Sequence, residues 1–345
     1  MKAVVYCGKG IVKLEERPKP VIIDPRDVIV KVTRSTICTS DLHIINGAVP
    51  RAVPGIVLGH EFAGQVVETG SQIKNLKPGD RVAANCETFC GECWFCKRGY
   101  VNNCLHGGWE LGCRIDGCQA EYVRVPYGDT GLYLIPEGVS EEQALFTGDI
   151  LSSAYWAAQL GEIKNGDVVA VIGAGPVGLL CGECAKYMGA EKVLIIEPDE
   201  FRRSLAIKEG LADVAVNPNT EDEIEAVKQL SDGRGADVVI EAAGGKDTFQ
   251  MAWKLARPNG ILSIAAMYEE NQVLPLPSMY GKNLIFKTGG VDASKCTLLL
   301  DLIARGKLST DFLITHRGTL ENIMEGYDIF QNKKDNCVKW VAVQD

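Results

Sequence analysis

Four thiols fall within fifteen residues, in Cys90-Gly91-Glu92-Cys93-Trp94-Phe95-Cys96 and then Cys104. Thiolates at this spacing can wrap one tetrahedral zinc ion and leave no position open to a substrate, the pattern of a structural site. An iron-sulfur cluster is the competing chemistry, because bacterial ferredoxins also open with C-x2-C-x2-C. Those continue with three residues and a Cys-Pro, whereas here seven residues precede Cys104 and Leu105 follows it. Zinc is therefore the expected occupant. The chain has 13 cysteines, an odd number that cannot all pair internally. Cys7, Cys86, Cys113, Cys118, Cys296 and Cys337 lack metal-ligand spacing and are read as small buried residues.

A second constellation is glycine-rich. The apolar run Val168 to Ile172 leads into Gly173-Ala174-Gly175-Pro176-Val177-Gly178 and then a helical pattern, and Glu197 closes the next apolar run 19 residues beyond Gly178. Glycines in this context let the backbone turn tightly and approach a pyrophosphate, which a helix N-terminus stabilises with free N–H groups and its dipole. Glu197 can accept both hydrogen bonds of an adenosine ribose and repels a 2′-phosphate, so NAD is expected in preference to NADP. Arg202 and Arg203 follow Pro198 and Asp199 and are read as the solvated start of the next helix, with Arg202 kept as a candidate cofactor contact. Cys181 and Cys184 match a C-x-x-C redox spacing, but one turn into the nucleotide-binding helix they are read as reduced core thiols.

The histidines number four. His60 lies in Gly59-His60-Glu61-Phe62-Ala63-Gly64, with an adjacent carboxylate that cannot share its direction on an extended backbone. Cys38-Thr39-Ser40-Asp41-Leu42-His43 mixes a thiol, a hydroxyl and an imidazole within six residues. Taken alone, each is equally a packed histidine or a loop thiol. His106 and His316 are read as packed.

These residues need a scaffold. Short Val-, Ile- and Thr-rich runs (3 to 6, 28 to 33, 64 to 68, 81 to 84 and 121 to 125) predict an irregular, mostly β first domain. From residue 168, apolar runs alternate with helical patterns, which predicts a doubly wound parallel sheet, and a final helix and strand are expected to rejoin the first domain. The expected division is 1–150 with 291–345, and 151–290, for a chain of 345 residues. Net charge is -9, so no basic field exists for nucleic acid or an anionic membrane. The N-terminal residues carry early charges and no signal-peptide core, and no apolar segment reaches the roughly 18 to 20 residues of a membrane span, so a cytoplasmic location is expected.

Taken together, Cys38-x-Ser40-Asp41-x-His43, Gly59-His60-Glu61, the four-cysteine lobe and the later glycine loop resemble the zinc-dependent medium-chain alcohol dehydrogenases over nearly the whole chain, in the family's order. The resemblance implies an α/β fold: a GroES-like, mostly β catalytic domain interrupted by a Rossmann domain. It implies two zinc ions per chain, NAD, and a catalytic zinc in the interdomain cleft held by Cys38, His60 and a third residue near the domain junction. The junction Phe146-Thr147-Gly148-Asp149-Ile150-Leu151-Ser152-Ser153 resembles the stretch that supplies an aspartate ligand in bacterial secondary alcohol dehydrogenases, making Asp149 the choice. Its alternative role is a helix N-cap. The family also implies that Glu61 sits behind the metal and can ligate it, and that Ser40 takes the alcohol proton and relays it through the cofactor ribose to His43. Trp109 would line the substrate pocket, or anchor its loop by packing.

The substrate expected is a small secondary alcohol or its carbonyl product, with polyols, threonine-type amino alcohols and hydroxysteroids as alternatives. A zinc-free reductase of the same superfamily or a non-catalytic NAD-binding protein is the contrasting reading. A homo-oligomer, tetramer or dimer, is expected.

Overall fold

The computed structural model describes residues 1–344. The chain divides into two compact units, one of residues 1–152 with 292–345 and the other of Ser153–Val291.

The first unit is built on a seven-stranded sheet in which Val28–Thr36 pairs antiparallel with Phe62–Thr69, Tyr122–Val125 and the C-terminal strand Lys339–Val343. Alternation places Val28, Val30 and Val32 on one face, where they pack with Phe62, Val66, Val82 and Leu132. Val341 lies opposite Thr36, so the strand Lys339–Val343 returns late in the sequence to join the sheet of the first unit, between Val28–Thr36 and Ile314–Gly318. Four helices here were not expected, among them the short Gly128–Gly131 and Glu141–Ala144. Thr39–Ile45 buries Ile44, and Ile323–Gln331 buries Ile323 and Tyr327; both pack into a cluster with Ile37, Leu58 and Trp340. The strand Ile11–Glu16, paired with Lys2–Gly8, also went unread, because its charged residues interrupt the apolar run.

The second unit holds a six-stranded, wholly parallel sheet. Its order is Val214–Val216, Lys192–Ile196, Val168–Ile172, Ala236–Glu241, Ala256–Ile264 and Ile285–Thr288. Every residue of Val168–Ile172 is buried, as a central strand covered on both faces requires. The helices Pro176–Tyr187, Glu200–Lys208, Glu223–Leu230 and Thr248–Leu255 fall between the strands. This is the GroES-like and Rossmann pairing of an α/β protein. No helix among the described residues is long and apolar enough to cross a membrane.

Two packing expectations need correcting. Cys7 is exposed, since it lies where the strand Lys2–Gly8 enters its hairpin turn. His106 is exposed as well and bonds through its main chain, its N–H donating to the Cys104 sulfur at 3.4 Å and its carbonyl accepting from the Tyr127 hydroxyl at 3.4 Å.

Candidate metal centres and dinucleotide site

Cys38 is the N-cap of the helix Thr39–Ile45, and its N–H donates to Asp41 Oδ2 at 2.9 Å. This capping arrangement fixes where the thiol stands. Cys38 Sγ lies 3.7 Å from Asp149 Oδ2, and His60 Nε2 lies 3.2 Å from that same oxygen and 3.2 Å from Ser40 Oγ. His60 Nδ1 and Asp41 Oδ1 face each other at 3.6 Å, both buried and neither hydrogen-bonded. A carboxylate on that side favours the proton on Nδ1 and leaves the Nε2 lone pair for a metal.

One donor atom from each of Cys38, His60, Glu61 and Asp149 lies within 4.8 Å of the others. A thiolate, an imidazole and carboxylates form a donor set that suits zinc, so these residues fit the ion. The Asp149 carboxylate turns to Cys38 and His60 and makes no hydrogen bond to the helix Ile150–Leu160, which is not what an N-cap does. Burial opposes its ionisation, but the His60 ring and Lys339 hold its carboxyl below the usual range.

Glu61 joins the same cluster as His60, contrary to the alternation expected of a strand, because both residues precede Phe62–Thr69 and lie outside the regular ladder. Lys339 donates to Glu61 Oε2 at 2.7 Å and Oε1 at 3.2 Å, and to the Ile37 carbonyl at 3.1 Å. Burial works against the Lys339 charge, yet Glu61 more than offsets it and raises the ammonium above its ordinary pKa.

In the lobe, the sulfurs of Cys90, Cys93, Cys96 and Cys104 form a second cluster within 4.8 Å. Main-chain N–H groups point at them, from Cys93 to Cys90 Sγ and from Cys90 to Cys104 Sγ, each at 3.3 Å. Donors aimed at sulfur favour the thiolate; the Cys96 and Leu105 main chain brings the Cys93 thiol down to about 6. Burial and the neighbouring sulfurs push the Cys96 and Cys104 thiols up instead, and four sulfurs this close together fit a closed zinc site, which would bind them as thiolates.

In the second unit, Gly173 has φ +95°, which a side chain would resist, and a Cβ on Gly178 would sit 2.0 Å from the Gly173 carbonyl oxygen. A Cβ on Gly175, the N-cap of Pro176–Tyr187, would meet nothing within 4 Å. The loop is thus tight against the helix and open outward, the shape a pyrophosphate requires. Glu197 Oε2 accepts the Ala174 N–H at 2.7 Å and Oε1 the Asp199 N–H at 3.0 Å, holding the carboxylate beside the loop with a lone pair left on each oxygen. Arg203 is tied to the Glu197 and Pro198 carbonyls, whereas the Arg202 guanidinium makes no hydrogen bond. Cys181 and Cys184 are fully buried.

A model of the alcohol dehydrogenase GroES-like domain matches residues 24–137, and a zinc-binding dehydrogenase model matches residues 176–304. An alcohol dehydrogenase of Cupriavidus necator is 34% identical, across 98% of this chain and 97% of its own length. This chain belongs to the zinc-dependent medium-chain alcohol dehydrogenase family. Among solved members, the alcohol dehydrogenase TADH from Thermus sp. ATN1 is 37% identical with a TM-score of 0.91, covering 99% of both chains. A zinc-binding dehydrogenase of Sinorhizobium meliloti 1021, solved with NADP bound, is 30% identical with a TM-score of 0.89, again over 99% of both chains.

In this chain the Trp109 ring lies 5.6 Å from the His60 ring, with the Arg51 guanidinium 5.2 Å from the Trp109 centroid. His43 is half-buried in the last turn of the helix that begins with Thr39 and Ser40. Asp41 and Lys339 had no role assigned from the sequence. The spacing of Asp41 from Cys38 is that of a capping pair, and a lysine inside Cys337-Val338-Lys339-Trp340-Val341 is a charge in a core strand; both were signals open to reading.

Proposed function

We propose that the protein is an NAD-dependent alcohol dehydrogenase that interconverts a secondary alcohol and its ketone, with zinc held by Cys38, His60 and Asp149. The observation that carries this reading is the convergence of those three side chains with Ser40 on one partly buried point. When bound there, zinc supplies Lewis acidity toward an alcohol or carbonyl oxygen, and a site with three protein ligands leaves a position for it. One thiolate and one carboxylate balance the dication. Glu61, locked to Lys339, is the reserve carboxylate behind them.

The protein's own groups do the rest. Ser40 Oγ, 3.2 Å from His60 Nε2, accepts the proton of the substrate hydroxyl as it gives up its own, and His43, one turn further along the same short helix, takes that proton and hands it to solvent. Asp41 keeps the His60 ring in the orientation that ligation needs. In the second unit the loop Gly173 to Gly178, with Pro176 and Val177 opening the helix, binds the pyrophosphate of NAD. Glu197 takes the adenosine ribose, and Arg202 borders it. Trp109 lines the substrate side of the metal cluster. Cys90, Cys93, Cys96 and Cys104 hold a second zinc that stabilises the lobe.

Zinc content and NADH formation with secondary alcohols test the reading together. About two zinc ions per chain with turnover supports it, and one zinc with no turnover contradicts it.

A further inference from the structure

Gln119 is a fully buried amide shortly before the strand Tyr122–Val125. Its N–H donates to the Leu58 carbonyl at 2.9 Å, and a Cβ on Gly59 would lie 2.6 Å from its Cγ, so the side chain presses on the backbone just before His60. Both amide hydrogens are used, since Nε2 donates to Asp41 Oδ2 at 3.1 Å and to the Thr36 carbonyl at 3.4 Å. An ionised carboxylate and a carbonyl only accept, which fixes the end of the amide that faces them. Oε1 is left for Tyr327, on the helix Ile323–Gln331, whose hydroxyl donates to it at 2.7 Å.

These bonds run one way, from Tyr327 to Gln119 to Asp41. Asp41 Oδ2 also accepts the Cys38 N–H at 2.9 Å. With Oδ2 supplied by two donors, Oδ1 is the oxygen turned to His60 Nδ1 at 3.6 Å, and both of those atoms are buried without a hydrogen bond. A carboxylate held firmly at one oxygen presents the other in one direction, and a ring nitrogen that ligates a metal needs such a partner on its opposite nitrogen.

We propose that Gln119 and Tyr327 are positioning residues for the metal, acting through Asp41 on the His60 ring to fix the direction in which Nε2 presents its lone pair. The inference rests on the zinc site of Cys38, His60 and Asp149 proposed above. Neither residue is among the donors that converge there. Burial, with the Asp41 charge nearby, pushes the Tyr327 hydroxyl well above its ordinary pKa, so it stays a donor. Without that hydroxyl, Gln119 Oε1 is buried and unpaired, and turning the amide over would aim the oxygen at a carboxylate. Tyr327 thereby keeps the amide in place, and hydrogen bonds in series strengthen one another.

The test uses the zinc-loaded protein and its Gln119→Leu and Tyr327→Phe variants. Tyr327→Phe keeps the ring that packs with Ile37, Leu58 and Trp340 and removes only the hydroxyl, so it reports on the chain of bonds even if Gln119→Leu does not fold. Zinc affinity is measured by competition with a chromophoric chelator, and the visible spectrum is recorded after cobalt(II) replaces zinc at the Cys38 site. Gln119→Leu is expected to weaken that site by about tenfold or more and Tyr327→Phe by about threefold, with the cobalt bands shifted in both and the lobe site unchanged. A variant that keeps the parent's zinc affinity and cobalt bands, whatever its melting temperature, overturns the positioning role and leaves the metal site intact. A parent that binds zinc in the lobe alone overturns the metal site, and the inference falls with it.

Discussion

The Lys339 ammonium grips both carboxylate oxygens of Glu61, at 2.7 and 3.2 Å, in a setting where the two side chains are 1% and 0% exposed. A buried pair of this kind is costly to break from one side, because the surviving charge has no water to replace its partner. Lys339→Met should therefore destabilise the zinc-loaded protein by about 3–5 kcal/mol. The double variant Glu61→Gln/Lys339→Met should recover most of that loss. Denaturant unfolding of the three proteins checks it; equal midpoints for parent and Lys339→Met would mean that the pair does not hold Glu61.

Cys93→Ser should lose one zinc ion per chain and lower the unfolding temperature, since a closed site contributes its binding energy to folding. The remaining thiolates cannot complete a tetrahedral set. A variant with the parent's zinc content and melting temperature would sink the assignment of the lobe.

The parent should prefer NAD to NADP, because Glu197, 6% exposed and anchored by the Ala174 and Asp199 N–H groups, cannot swing away from a 2′-phosphate. Like-charge rejection in such a pocket is worth about a hundredfold in specificity. Glu197→Ser should erase most of that preference. In that background Arg202→Ala should remove the acquired NADP activity, while Arg203, occupied with two carbonyls, should matter less. Steady-state kcat/KM with both dinucleotides decides it, and a parent equally efficient with NADP refutes the role of Glu197.

The second unit was the more legible part of the sequence. Val168 to Ile172 and its neighbours are strands buried on both faces, so each reads as an unbroken apolar run, and the glycine loop marks where the first one ends. The first unit hid more. Its helix Thr39–Ile45 is seven residues long, too short for a helical period to declare itself among polar side chains. The Cys38, His60 and Asp149 cluster assembles residues as much as 111 positions apart, and Asp149 stood out only through the resemblance.

The most direct test of the account is the zinc content of Asp149→Ala measured on the sample used to follow NADH formation. The three-ligand site predicts that the variant keeps the lobe zinc and its fold, loses the other zinc ion, and forms no NADH from any secondary alcohol the parent oxidises. Asp149→Ala with the parent's zinc content and the parent's turnover would contradict it.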